Sequence, residues 1–248
     1  MSVTAGIKAF PYLSKIAASP TKLLFCFHHA GGSASVFYRY IKQYSDIAMI
    51  PVELPAHGSR INEAPVTDWH ELTTLLCSDI INVLKEYDIP FSMLGCSLGS
   101  LIAFECAVKL NEYGKKADEL IICSHSSPDV LSPGYKTSMG YDRLIDEINL
   151  LSGTPDSVTG SKEMIDFYLP LIYNDYLLHD NYKYSGQVLD RTDLYAFCGT
   201  DDPYFDRSNM KNWKNMSEGS CHYSEYTGGH FFLYDADNLQ KVVKSAGI

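Results

Sequence analysis

Three short stretches carry residue types that together can run nucleophilic chemistry. Residues 95–99 read Gly-Cys-Ser-Leu-Gly, a G-x-S-x-G pattern centred on Ser97. Asp201 and Asp202 follow Gly199-Thr200, and His230 follows Gly228-Gly229. A serine hydroxyl is a weak nucleophile, so an imidazole must take its proton. A carboxylate must then hold that imidazole in the right tautomer and stabilise it once charged. Taken alone, His230 reads as an ordinary loop histidine; the serine and the acid make it the base. Cys96 is a rival nucleophile, but it sits one place before the apex of the pattern, so its side chain is expected to point away.

The flanking sequence supplies the elements such a site needs. Phe91 to Leu94 is a short apolar run that reads as the end of a buried strand, and the residues after Gly99 keep an apolar helical face. Strand, tight turn and helix would hold Ser97 out at a helix N-terminus, where free N–H groups favour a developing anion. Gly95 and Gly99 would let strand and helix approach through that turn. Lys22 to Phe27 reads as another buried strand, running into His28-His29-Ala30-Gly31-Gly32-Ser33-Ala34 and then a helix over Ser35 to Tyr44. Ala48 to Leu54 and Glu119 to Cys123 are further strands, with a helix over Asp68 to Tyr87 between them and Asp68 near its start as a cap. Strand character returns at Arg191 to Gly199 and near Cys221 to Tyr226, with a helix ending at Trp213 between the two and a closing helix over Asn238 to Ala246.

Strands alternating with helices imply an α/β protein with a mostly parallel central sheet and helices on both faces. Functional residues then gather at the carboxyl ends of the strands, which is where the glycine loop at 28–34, Ser97, the Asp201-Asp202 turn and His230 all fall. Residues 129–185 break the rhythm. They are richer in Tyr, Asp and Asn, with helical spacing over Arg143 to Leu151 and Ser161 to Leu178. They are expected to form a helical lid inserted within a single domain spanning 1–248.

Bulk composition narrows the function classes. A net charge of −10 without a long basic run argues against nucleic-acid binding and against anionic membranes. No apolar run is long enough to span a bilayer, and residues 1–22 lack the pattern of a secretory signal. Seven scattered cysteines without a C-x-x-C pair fit a reduced, cytoplasmic protein. His28 and His29 invite a metal reading, but adjacent side chains on an extended strand point to opposite sides, and no metal-ligand spacing accompanies them. Neither a metal nor another cofactor is expected.

The order Ser, Asp, His resembles that of the α/β-hydrolases. In that fold the oxyanion is held by two backbone N–H groups, one from the loop after an early strand and one from the residue after the nucleophile. By position these are Ala30 and Leu98. The acid usually lies three residues past the strand-ending glycine, which favours Asp202 over Asp201; Asp201 is then expected to cap the following turn.

More narrowly, from about Leu23 to Leu233 the chain resembles the type II thioesterases that accompany nonribosomal peptide and polyketide synthases. The resemblance rests on residues 27–34, on Val52-Glu53-Leu54-Pro55-Ala56-His57-Gly58-Ser59-Arg60, on the Ser97 pentapeptide, on residues 199–203 and on Gly228-Gly229-His230-Phe231-Phe232-Leu233. Leu169-Pro170-Leu171 with Asn174-Asp175-Tyr176 resembles the family's lid helix. His28 stands where the family usually has proline, Cys96 and Leu98 replace its His and Met, and Ala56 stands where glycine is common. The resemblance implies hydrolysis of acyl groups from the phosphopantetheine arm of acyl or peptidyl carrier protein domains, through an acyl-serine intermediate, by a monomeric enzyme. Lys136, Arg143 and Lys162 would be candidates for docking an acidic carrier. Alternatives are early chain release from a fatty-acid synthase, a small-molecule esterase or lipase, an acyltransferase, and a noncatalytic binding protein on the same scaffold.

Overall fold

The computed structural model describes residues 7–131, 137–140, 144–146, 162–204 and 206–248. Its centre is a six-stranded sheet: β1 (Lys22–Phe27), β2 (Ile47–Val52), β3 (Phe91–Cys96), β4 (Glu119–Cys123), β5 (Asp193–Gly199) and β6 (Cys221–Tyr226), in the spatial order β2-β1-β3-β4-β5-β6. All five pairings are parallel. Parallel sheets need both faces covered, and β1 to β5 are accordingly rich in buried apolar residues, whereas the edge strand β6 (Cys-His-Tyr-Ser-Glu-Tyr) is only partly buried. Alternate residues serve opposite faces. Leu23, Phe25 and Phe27 join one core with Leu72, Leu76, Ile80, Ile102 and Leu110. Leu24 and Cys26 join the other, with Leu94, Cys96, Leu239, Val242 and Val243.

The covering helices are α1 (Trp69–Tyr87) and α2 (Leu98–Glu112) on the first face and α5 (Ala236–Ser245) on the second. Asp68 caps α1, its carboxylate accepting the Glu71 N–H at 2.8 Å. The helix expected over Ser35 to Tyr44 is instead a 3-10 turn, Ala34–Tyr40. Val36, Phe37, Tyr38 and Tyr40 all lose rotamer freedom in an α-helix, and burial of Phe37 and Tyr40 fixes the turn by packing. The segment before β6 likewise divides into a short α4 (Arg207–Lys211) and a 3-10 turn through Trp213.

Strand β3 passes into α2 through a turn that only glycines permit. A Cβ on Gly95 would stand 2.3 Å from the Gly99 carbonyl oxygen, and one on Gly99 would stand 2.3 Å from the Phe27 carbonyl oxygen. Both obstacles are backbone and cannot rotate away. Gly99→Ala is therefore expected to lower stability by about 3 kcal/mol, the upper end of overpacking costs. Urea unfolding would check this, and a loss below roughly 1 kcal/mol would show that the elbow can relax.

Of the expected lid, the helix over Arg143 to Leu151 falls mostly outside the described residues, as do Lys136 and Arg143. The other helix is present as α3 (Lys162–Asp180). Pro170 lies within it, and Asn174 Nδ2 donates to the Pro170 carbonyl at 2.8 Å. The C-terminal end of α3 is tied to the body: Trp69 Nε1–H donates to the Leu178 carbonyl at 2.7 Å, and Tyr182 Oη–H donates to Glu105 at 2.6 Å. Asp180 accepts both the N–H and the hydroxyl of Thr137, each at 2.6 Å. No helix among the described residues is long and apolar enough to cross a membrane.

Candidate active site

Ser97 occupies the turn between β3 and α2 with φ 53° and ψ −125°, a conformation L-residues rarely adopt. Such strain persists only where the surroundings over-determine it. Here the Ser97 N–H donates to the Cys123 carbonyl at 2.8 Å. Beneath it the Ser100 hydroxyl donates to the Gly95 and Cys123 carbonyls at 2.8 and 3.0 Å and accepts the Cys123 N–H at 3.1 Å. The Ser97 side chain does not cap α2. Its hydroxyl turns to His230 Nε2, 2.9 Å away.

His230 and Asp202 meet because strands β5 and β6 end side by side. A Cβ on Gly199 would stand 2.2 Å from the Gly229 carbonyl oxygen, so glycine there lets the histidine loop close on the acid loop. The Thr200 and Asp201 N–H groups donate across to Tyr226 and Gly228, each at 2.9 Å. His230 Nδ1–H donates to Asp202 Oδ2 at 2.8 Å, and both residues are buried. The line from Ser97 Oγ through the imidazole to the carboxylate is thus continuous. It can carry a proton from a hydroxyl to Nε2 while the charge on the ring is compensated at Nδ1.

Of the two aspartates, Asp202 is the one brought to the imidazole. Asp201 is exposed, and the turn expected to be capped by Asp201 is capped by Asp202 itself, whose Oδ1 accepts the Tyr204 N–H at 3.0 Å. One carboxylate therefore serves both the histidine and its own loop. Cys96 is fully buried in the second core, and burial pushes its thiol up to about 12. It offers no thiolate beside Ser97.

Leu98 opens α2, where N–H groups have no intrahelical partner. Ala30 lies in a turn closed by the Gly32 N–H, which donates to the His29 carbonyl at 3.0 Å. The neighbouring histidines point apart as expected. His28 is buried against His57, ring centroids 5.0 Å apart, whereas His29 packs on Phe231 and shares a 2.6 Å hydrogen bond with Tyr234 Oη. Burial pushes both rings down to about 3, with His57 adding to the effect on His28 and His230 to that on His29. Both are neutral at physiological pH, so neither sets a second cation beside His230. Among the described residues no group of three His, Cys, Asp or Glu side chains is arranged to hold a metal ion.

Several supporting residues escaped sequence reasoning. Ser124, itself at φ 54°, donates its hydroxyl to the His230 carbonyl at 2.7 Å and so fixes the histidine's backbone. Glu53 is buried and accepts the Ala34 N–H at 2.9 Å and the Ser59 N–H at 3.1 Å, joining the glycine loop to the segment after β2. His57 and Asp175 form a buried pair at 2.9 Å. Glu53, His57 and Asp175 lie in stretches that carried the family resemblance, but nothing in those stretches assigned them a supporting role.

The His57 ring is pulled two ways: burial, the largest single effect, pushes its pKa down, but the Asp175 carboxylate together with the Pro55 carbonyl and Glu53 outweighs it and the net shift is upward. The neutral His28 ring also faces it. A histidine raised on folding contributes stability fully below its unfolded value, about 6.5, and loses that contribution as pH rises through the folded value. Above pH ~6.5 the thermal midpoint of the wild type is therefore expected to fall more steeply than that of His57→Gln. Parallel curves would remove His57 as the group responsible.

With this geometry in hand, known proteins give a consistent match. The family model described as Thioesterase domain fits residues 22–246. The gramicidin S biosynthesis protein GrsT of Aneurinibacillus migulanus is 28% identical over 218 residues, covering 86% of this chain and 83% of that protein. The medium-chain S-acyl fatty acid synthase thioesterase of Homo sapiens is 27% identical over 230 residues, covering 90% and 84%. The solved structure of BorB, a type II thioesterase from the borrelidin biosynthetic cluster, superposes with a TM-score of 0.80 at 25% identity over 93% of this chain and 94% of that one. A family model that spans nearly the whole chain, on the α/β-hydrolase fold, makes this protein a member of the thioesterase family, a thioester hydrolase.

Proposed function

We propose that this thioesterase removes acyl groups from the phosphopantetheine arm of acyl or peptidyl carrier protein domains, and so regenerates stalled or misprimed synthases. The observation that carries the chemistry is the line Ser97–His230–Asp202, at 2.9 and 2.8 Å. The carrier substrate is supported by the relatives, one named for gramicidin S biosynthesis and one for a borrelidin cluster.

In this reading Ser97 Oγ attacks the thioester carbonyl while His230 Nε2 takes the hydroxyl proton. The oxyanion rests on the Ala30 and Leu98 N–H groups, where fixed donors stabilise the developing charge. The carbon–sulfur bond breaks, the arm leaves as a thiol after protonation from His230, and Ser97 carries the acyl group. Water, deprotonated by His230, attacks the ester and frees the acid. Asp202 accepts the Nδ1–H throughout and holds the ring in place. No cofactor enters these steps. Segment 129–185, which includes α3, acts as the lid over the acyl chain. All seven cysteines are free, which supports a reduced cytoplasmic setting.

A second reading, chain release from a fatty-acid synthase by the same chemistry, is favoured by the similarity to the human medium-chain enzyme. Hydrolysis of one acyl group should be compared on a carrier protein, on coenzyme A and as a p-nitrophenyl ester. The editing reading expects the carrier thioester to be turned over at least ~10-fold more efficiently, since binding energy from the arm and carrier is used at the reacting centre. Preference for the free ester would make the enzyme a small-molecule esterase. Activity confined to one finished chain length, with short stalled acyl groups refused, would favour chain release.

A further inference from the structure

The turn that presents the Ala30 N–H is held from outside by helix α3. Gly31, at φ +71°, occupies its third position, as a turn of type II requires. The His29–Ala30 peptide is fixed at its carbonyl, which accepts the Gly32 N–H at 3.0 Å and His28 Nδ1–H at 2.8 Å. The next peptide, Ala30–Gly31, sits at the centre of the turn, and such a peptide can flip between turn types. Here its N–H donates to Asp175 Oδ2 at 2.6 Å. One turn earlier on α3, Ile172 fills the space beside Gly31: a Cβ there would stand 2.5 Å from Ile172 Cγ1.

The same Asp175 oxygen also faces His57 Nε2, at 2.9 Å. His57 Nδ1 lies 2.8 Å from the Pro55 carbonyl, which can only accept. Nδ1–H is thereby taken, and an Nε2–H donated to the Asp175 carboxylate makes the two an imidazolium–carboxylate pair, the arrangement that the upward shift of His57 favours. The pair is buried, with side chains 2% and 7% exposed, so each partner would be left as an uncompensated buried charge without the other. A neutral amide at 175 could not serve equally: its oxygen would accept both N–H groups but leave the cation unbalanced, and its nitrogen would face two donors.

We propose that Asp175, backed by His57, is a positioning residue: by holding the Gly31 N–H it keeps the 29–32 turn seated against α3, and with it Ala30, whose own N–H lies in the neighbouring His29–Ala30 peptide and serves the oxyanion. This rests on the assignment of Ala30 as an oxyanion donor. It also makes α3 more than a cover: the helix that borders the acyl chain sets the geometry of the hole through one carboxylate 144 residues away from its partner in sequence. Asp175 touches no substrate atom and acts through Gly31.

The test uses a substrate pair that reports the hole separately from the fold: the octanoyl thioester of N-acetylcysteamine and its dithioester, in which sulfur replaces the carbonyl oxygen. Sulfur is larger and a weaker acceptor, so an oxyanion hole favours the thioester. Each kcat is divided by the rate of hydroxide hydrolysis of the same compound. The wild type is expected to favour the thioester by ~100-fold, the scale of one oxyanion donor. Asp175→Ala, folded by circular dichroism and thermal melting, is expected to lose at least ~10-fold of that preference with KM changed by less than about threefold, as for a misplacement far from the chemistry. Should the alanine variant fail to fold, Asp175→Asn takes the same test with the same expected direction. A variant that keeps the wild-type preference, or that loses both activities equally, overturns the positioning role. A wild type without preference overturns the Ala30 assignment itself, and the inference with it.

Discussion

Ser97→Ala is expected to lose at least ~10³-fold in thioester turnover while melting within a few degrees of the wild type. The hydroxyl makes one hydrogen bond, to His230 Nε2, and caps nothing. The strained turn is held by backbone and by Ser100, all of which remain in the variant. Deleting Oγ therefore removes the attacking atom and little that stabilises the fold. The residual rate should stay above that in water, because the N–H groups of Ala30 and Leu98 still favour an oxyanion when water attacks directly. Single-turnover kinetics would read the loss. A variant within tenfold of the wild type would deny Ser97 the nucleophile role. Cys96 could not easily inherit it, since its thiol faces the core and burial holds it at about 12.

The second large effect separates two adjacent carboxylates. Asp202→Asn is expected to lower kcat by ~10³–10⁴-fold, and Asp201→Asn by no more than about twofold. Asparagine at 202 can keep Oδ1 as the acceptor for the Tyr204 N–H, so the loop retains its shape. Its amide would then face His230 Nδ1 and favour the tautomer with the proton on Nε2, which cannot accept from Ser97. The loss is thus one of proton placement, visible as a fall in kcat with the melting temperature little changed. If Asp201→Asn proved the crippled variant, the acid assignment would pass to its neighbour and the loop would have to rearrange.

What was legible in the sequence follows from how local each feature is. β1 and β4 lie where their apolar runs predicted them, because a strand's pattern is contained in five or six neighbouring residues. The Ser97 elbow was legible because its two glycines are forced by contacts within one turn. The choice of Asp202 over Asp201 followed from its distance past Gly199, although the cap on the next turn was assigned to the wrong aspartate: one carboxylate using both oxygens leaves no mark in composition. Ser124, His57 and Asp175 were not legible as supports. Each acts across the sheet ends on a residue far away in the chain, and a serine, a histidine in a Gly/Pro loop and an aspartate in an amphipathic helix all have ordinary local readings.

Ser97 is expected to be the nucleophile that hydrolyses a carrier-bound thioester. The most direct test is intact-mass analysis of an acylated carrier protein incubated with the wild type and with Ser97→Ala. The carrier is expected to lose its acyl mass only with the wild type, and a quenched reaction to show the same mass added to the wild-type enzyme. Retention of the acyl group on the carrier with both proteins, while the wild type still cleaves free esters, would contradict this assignment.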